Sequence, residues 1–251
     1  MKKIISICIL LLAPVVVQAS SEKSCGEIDC YKANIDLDNK ASLQRGAKLF
    51  VNYCMGCHSA EFMSYERMAK DLGLDNEIVL KNLVFSNGKI GDYMTIAMPA
   101  DDAKSWFGVP PPDLSLVARS RGIDWLYTYL KTFYADDSRP FGVNNLAFSD
   151  VGMPHALQAL EGMKQAVYKT VKDEHSGDTT RVFESFETIS QGSMSAAKFD
   201  QAVLDLVNFL EYTGEPAKLV RYSIGVKVIL FLIILLIPAY LMKKEFWKDV
   251  H

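Results

Sequence analysis

The sequence predicts a mainly α protein with long loops, one small β-hairpin and a single C-terminal transmembrane helix. Three observations carry that expectation. Apolar residues recur at helical spacing through several segments, Gly- and Pro-rich stretches separate them, and a run almost free of charge occupies residues 224–242. Of the 251 residues, 49% are hydrophobic and 23% charged, an ordinary globular balance, so the class must be read from local runs.

The chain opens MKKIISICILLLAPVVVQA. Lys2 and Lys3 precede an apolar stretch, and Val17-Gln18-Ala19 supplies small residues, so residues 1–19 read as a bacterial-type secretory signal cleaved after Ala19. The rival reading is an uncleaved anchor, which Pro14 and the short apolar stretch disfavour. At the other end, IGVKVILFLIILLIPAYLM has one charge, Lys227. At helical rise it spans roughly 28 Å, close to the hydrocarbon thickness of a bilayer. Lys243, Lys244 and Lys248 follow, which places the tail in the cytoplasm by the positive-inside rule. The expected division is therefore a signal (1–19), a periplasmic domain (20–221), a transmembrane helix (222–242) and a cytoplasmic tail (243–251), single-pass in a bacterial inner membrane.

The formal net charge is −3, and loss of the signal would make it two units more negative. That balance argues against a nucleic-acid partner. Cysteine usage fits export: Cys8 leaves with the signal, Cys54 and Cys57 share one motif, and Cys25 and Cys30 are free to pair in an oxidising compartment. Their loop is short, so its entropic effect would be small by disulfide standards.

Between the termini, NKASLQRGAKLFVNYC places Leu43, Ala47, Phe50 and Cys54 at helical spacing, with Asp38 as N-cap. SYERMAKDLG and NEIVLKNLVF read as short helices, and GKIGDYMTIAMPADDAKSWFGVPPPDLS as irregular loop. Asp113 caps a helix ending at Arg121, Asp124 starts DWLYTYLKTFY, and YADDSRPFGVNNLAFSDVGMP is again loop. AVYKTVKDEHSGDTTRVFESF alternates about Ser176-Gly177-Asp178, a hairpin pattern. AAKFDQAVLDLVNFLEYTGEP aligns Phe199, Val203, Leu206 and Leu210 on one helical face, stopped at Gly214 and Pro216.

The sharpest local signal is VNYCMGCHSA. Cys-x-x-Cys-His is the attachment signature of c-type haem: Cys54 and Cys57 form thioethers with the vinyl groups, and His58 supplies the proximal nitrogen. The globular part is thus a c-type cytochrome domain with one covalently bound haem c. A thioredoxin-like pair would need a βαβ frame, and a zinc site using Cys25 and Cys30 would leave His58 unexplained. For the opposite face of iron the residues leave several candidates: Met94, Met98, Met153, Met163 and Met194, with His155 and His175 as nitrogen alternatives. Spacing alone puts Met98 slightly ahead.

The chain resembles the cytochrome c1 family, the haem subunit of the ubiquinol–cytochrome c reductase (bc1) complex. The resemblance runs from about residue 36 to the C-terminus through RGAKLFVNYCMGCHS, PPDLSLVARSRG, GVNNLAFSDVGMPHAL and QGSMSAAKFDQAVLDLVNFLEYTGEP, followed by one membrane helix and a basic tail. It implies Met194 as the distal ligand, so that His58 and Met194 bind the metal. It also implies Arg121 on a haem propionate and Pro112 against the ring. The segment with Cys25 and Cys30 departs from the pattern. As implied function, the chain accepts an electron from the Rieske iron–sulfur protein, beside cytochrome b, and passes it to a cytochrome c. It breaks no substrate bond and is a carrier subunit, not itself an enzyme. Acidic residues such as Asp101, Asp102, Asp136, Asp137, Glu184 and Glu187 are expected to meet a basic acceptor. The alternatives are a membrane-anchored cytochrome of a terminal oxidase or dehydrogenase, and, more remotely, a haem enzyme such as a peroxidase.

Overall fold

A computed structural model describes residues 24–85, 87–172 and 179–249. The expected signal segment, His175 and the Ser176-Gly177-Asp178 turn lie outside the described residues. In chain order the elements are α1 (Lys40–Leu49), a π-helical turn (Phe50–Cys54), β1 (Ala60–Ser64), α2 (Tyr65–Leu72), α3 (Asn76–Leu83), β2 (Tyr93–Met94) and α4 (Ala100–Phe107). There follow α5 (Val117–Arg121), α6 (Ile123–Lys131), β3 (Phe133–Ala135), β4 (Val143–Asn145), α7 (Gln158–Glu161), β5 (Gly162–Lys172), β6 (Thr179–Gln191), α8 (Ala196–Gly214) and α9 (Lys218–Phe246). The strands pair antiparallel as three two-stranded sheets, β1–β2, β3–β4 and β5–β6. The mainly helical domain with small sheets matches the expected class.

The core is organised by one crossing, α1 against α8. Phe199, Val203, Leu206 and Leu210, aligned by the 3.6-residue period, are all at most 3% exposed. On α1 they meet Leu43, Ala47 and Phe50, and the rings of Phe50 and Phe209 lie 5.6 Å apart. Gly46 permits the approach: a Cβ there would stand 2.0 Å from the Asp205 carbonyl oxygen and 2.7 Å from Phe209 Cβ. Beside it the Asp205 carboxylate, 2% exposed, accepts from Ser42 Oγ (2.7 Å), Gln201 Nε2 (3.0 Å) and twice from the Arg45 guanidinium (2.6 and 2.9 Å). A buried charge is tolerable only when so compensated.

Local starts differ from expectation in three places. The N-cap of α1 is Asn39, whose side chain accepts from Ser42 N–H at 3.1 Å; Asp38 lies one residue too early. Asp113 caps nothing, because α5 begins four residues later; its role appears below. The stretch read as loop after residue 88 contains α4, with Pro99 at the N-cap and Asp101 and Asp102 in a first turn that favours negative charge. Flanking Gly and Pro hid it. The hairpin is longer than its alternating pattern, reaching back to Gly162, whose φ of 94° and 2.1 Å Cβ approach to the Ser190 carbonyl oxygen require glycine.

The last element, α9, is 29 residues long, or about 44 Å at helical rise, with none of its side chains buried. It is the one helix among the described residues long and apolar enough to cross a membrane.

Gly46→Ala tests the crossing. In an open helix the change is worth up to about 1 kcal/mol of stabilisation; here the added methyl should instead lower stability by about 1–3 kcal/mol, read as a lower thermal midpoint. A stabilised variant would contradict the packing described.

Candidate functional site

The two cysteines sit where α1 gives way to a wider turn. Phe50–Cys54 is π-helical, closed by Met55 N–H to the Phe50 carbonyl at 2.9 Å. Single π turns occur often at functional sites, since they re-aim side chains without ending the helix. The Cys54 carbonyl then accepts from both Cys57 N–H (3.0 Å) and His58 N–H (2.9 Å), which curls Cys-Met-Gly-Cys-His around one atom. Both thiols are free and half-buried. Burial, with Cys57 adjacent, pushes the Cys54 thiol up to about 12, so it is neutral in this setting.

His58 is fixed from behind. Its Nδ1 lies 2.7 Å from the Pro112 carbonyl oxygen. An Nδ1–H donated to that carbonyl leaves the Nε2 lone pair outward, the arrangement by which a backbone oxygen sets the tautomer of a ligating imidazole. Burial lowers the ring's pKa while the Pro112 carbonyl works the other way, so burial dominates and the neutral ring is favoured. Pro112 therefore has a role beyond packing, and the sequence reading missed it because the group involved is a backbone oxygen.

That carbonyl is held by sewing residues 112–115 to residues 59–62. Leu114 N–H donates to the Ser59 carbonyl (2.8 Å), Glu61 N–H to Asp113 Oδ2 (2.9 Å) and Phe62 N–H to Ser115 Oγ (3.1 Å). Asp113 Oδ1 also accepts from Ser115 N–H at 2.8 Å. Asp113 is thus a staple between two segments fifty residues apart, not a helix cap.

Met194 is held by a clasp of backbone hydrogen bonds. Residues 192–194 donate three successive N–H groups, to the carbonyls of Glu161 (3.2 Å), Ala159 (3.0 Å) and Leu160 (3.0 Å). Gly192 is needed for closeness rather than flexibility: a Cβ would sit 2.2 Å from the Leu160 carbonyl oxygen. Met194 is half-buried and packs, like Cys54, Met55 and Leu114, against the main core. The other candidates are placed differently. Met94 is fully buried within that core. Met153, whose sulfur takes the Tyr129 hydroxyl at 3.4 Å, and Met163 pack on a separate cluster of Phe133, Val143 and Val151. His155 is stacked on Phe133 (4.9 Å), with Nε2 3.0 Å from Glu161 as an ion contact rather than an aligned hydrogen bond. Met98 is half-buried in the stretch before α4. Cys25 and Cys30 are bonded to each other, which removes them from the zinc alternative. Among the described residues, no cluster of three or more His, Cys, Asp or Glu could hold a metal ion.

Arg121 extends over two rings, its guanidinium carbon 4.9 Å from the centre of Trp125 and 5.8 Å from that of Phe148. Trp125 in turn stacks on Tyr129 at 5.0 Å. The Arg121–Trp125–Tyr129 series, four residues apart each time, was visible as spacing but not as a site. A cavity of about 710 Å³ adjoins it, lined in part by Arg119, Arg121 and Trp125. None of Cys54, Cys57, His58 and Met194 is among its lining residues.

This donor set fits a haem of the c type: paired free thiols, an imidazole with its outer nitrogen open, a half-buried thioether on the same core, and a cation over aromatic rings. A zinc site would need further ligands beside this turn, and Cys25 and Cys30 are spent on each other. The fold and site are those of a c-type cytochrome carrying one potential membrane helix. The Cytochrome C1 family model matches residues 32–250, and the chain belongs to that family of electron-transfer haem proteins, carrier subunits of bc1 complexes. It is 51% identical to cytochrome c1 of Allochromatium vinosum over the full length of both chains. It is also 43% identical to the ammonia monooxygenase gamma subunit of Nitrosomonas europaea over 96% of each chain. Against cytochrome b/c1 of Bradyrhizobium diazoefficiens it is 26% identical, covering 85% of this chain and 34% of that one.

Asp113→Ala should cost about 1 kcal/mol, because two backbone donors lose their acceptor. A lower denaturation midpoint measures it; an unchanged midpoint would mean the two segments hold without the staple.

Proposed function

We propose that this chain is the haem-bearing subunit of a bc1 complex, accepting an electron from a Rieske iron–sulfur protein and passing it to a cytochrome c. The observation that carries this is the imidazole of His58 clamped by Pro112 in a turn with two free thiols, in a chain of the cytochrome c1 family. When bound, haem c supplies a reversible one-electron couple. Cys54 and Cys57 would hold it by thioethers, with the His58 nitrogen and the Met194 sulfur as its ligands from this chain. Arg121 would neutralise a propionate, with Pro112 near the ring. With nitrogen and sulfur ligands both supplied by the protein, small reagents would be excluded and outer-sphere transfer alone would be served.

The same reading gives a signal at 1–19, a periplasmic domain at 20–221, a transmembrane helix at 222–242 and a cytoplasmic tail at 243–251 in a bacterial inner membrane. Cytochrome b as neighbour is supported by the Bradyrhizobium relative, whose name joins b and c1. A surface next to Pro112 suits the acceptor. Trp106 is 61% and Val109 64% exposed, Phe107 meets Phe141 at 6.0 Å, Asp101 and Asp102 share the helix of Trp106, and Asp136 and Asp137 lie in the turn that Asp136 N–H closes onto the Gly142 carbonyl. Arg139, in the same turn, is already paired with Asp150 at 2.8 Å. An apolar centre with an acidic rim fits a basic cytochrome c, and Val109 lies within ~11 Å of Pro112 by chain reach.

A second reading follows from the Nitrosomonas relative's name: association with an oxygenase rather than with a Rieske protein. Purification from membranes in mild detergent separates the two. Recovery with a multi-span b subunit and a Rieske protein supports the first, while recovery with oxygenase or copper-oxidase subunits supports the alternatives.

Met194→Leu should leave the haem attached, lower its midpoint potential and admit carbon monoxide, whereas Met98→Leu should do neither; equal potentials in the two variants would overturn the ligand assignment. Replacing His58 should be worse than either. Asp101→Lys with Asp102→Lys should slow reduction of a basic cytochrome c by ~10-fold at low salt and flatten the ionic-strength dependence. A wild-type rate insensitive to salt would refute acidic docking.

A further inference from the structure

The Cys25–Cys30 disulfide is the one sequence motif to which the electron-carrier reading gives no task. Cys25 is 1% exposed, and the turn it closes is seated closely: Gly26 (φ 65°) could not carry a Cβ, which would stand 2.2 Å from the Leu146 carbonyl oxygen. Glu27 N–H donates to that same carbonyl at 3.1 Å. Immediately downstream, Tyr31 N–H donates to Thr128 Oγ1 and Ala33 N–H to Asp124 Oδ1, both at 2.8 Å. The segment is therefore bound to two places at once: the helix Ile123–Lys131, which bears Trp125, and residues 146–148, which end in Phe148. Those are the two rings that hold the Arg121 guanidinium. Cys25, Ile28 and Cys30 also line the cavity of about 710 Å³ that Arg121 and Trp125 line.

We infer that the disulfide-closed turn is the outer wall of the Arg121 side of the haem site, with Cys25 and Cys30 as positioning residues that keep Trp125 and Phe148 around Arg121 and water away from the propionate edge. The inference rests on the reading of Arg121 as the propionate contact. Solvent access around a redox centre sets its potential, and water admitted at that edge favours the more highly charged oxidised state. Because the loop is short, the bond's main effect is on local shape rather than on the unfolded chain. Wall and arginine act on one edge, so their effects should overlap instead of adding.

The test uses the full-length, haem-loaded protein in detergent. The double variant Cys25→Ser/Cys30→Ser should retain covalent haem and show a lower midpoint potential with little change in thermal midpoint. Arg121→Gln should also lower the potential, and adding it to the double variant should shift it less than it does alone. Wild-type protein treated with dithiothreitol, alkylated at the two freed thiols and then reoxidised at the haem with ferricyanide should match the double variant, which covers the case in which that variant fails to mature. The exchange consumes one dithiol, which leaves as its cyclic disulfide. Val79→Ala, which opens a cavity under the helix Asn76–Leu83, is the control and should lower the thermal midpoint without moving the potential. An unchanged potential after loss of the disulfide, with Arg121→Gln still effective, would overturn the wall and leave the arginine reading standing. No effect from Arg121→Gln would overturn the arginine reading and the inference with it. Strictly additive shifts, or a potential that follows the thermal midpoint in the Val79→Ala control, would also overturn the inference.

Discussion

The contact on which the rest depends is the touch between Gly46 on the first helix and the Asp205 backbone on the long helix before the membrane segment. Through it, the part of the chain that carries Cys54, Cys57 and His58 and the part that carries the proposed ligand Met194 are brought to one core. The first helix runs on into the cysteines and His58, and the long helix begins two residues after Met194. Any side chain at position 46 would separate those parts by a methyl's width or more. The ionic cluster around Asp205 then fixes the pair rotationally, since Ser42 and Arg45 of the first helix both reach one carboxylate of the other. Packing sets the distance, and polar contacts set the angle.

A second layer orients what the crossing brings near. His58 is placed by a carbonyl that belongs to residue 112, and that carbonyl is placed by Asp113 and Ser115 reaching back to residues 61 and 62. Met194 is placed the same way, by three backbone bonds to residues 159–161. In both cases the side chain with chemical work to do is positioned by main-chain atoms of a distant segment. Main-chain contacts tolerate sequence change in many of the supporting residues, whereas the glycines at close approaches, Gly162 and Gly192 among them, and the side chains of Asp113 and Ser115 have little latitude.

That division explains what could be read in advance. The attachment motif is legible because its chemistry is local, five residues in one turn. The core face of the long helix is legible because Phe199, Val203, Leu206 and Leu210 obey one period. The proposed sulfur ligand is not: nothing near Met194 in the chain distinguishes it from Met98 or Met153, and only family resemblance singles it out. Asp113 looked like a cap because Asp before an apolar run ordinarily is one, whereas its acceptor capacity is used by a residue far away in sequence. The helix at residues 100–107 was hidden by the prolines and glycines on either side of it, which mark its ends and not an irregular stretch. Trp125 and Tyr129 carry no signal of their own in the sequence, and only the approach of Arg121 to Trp125 singles them out.

The long helix ends at Gly214 and the apolar one starts at Lys218, with three residues between. Two ion pairs span that joint, Lys218 to Glu211 at 2.5 Å and Arg221 to Glu215 at 2.6 Å. Three residues of chain reach no more than ~11 Å, so the globular part must stay at the foot of the apolar helix, whatever that helix is lodged in.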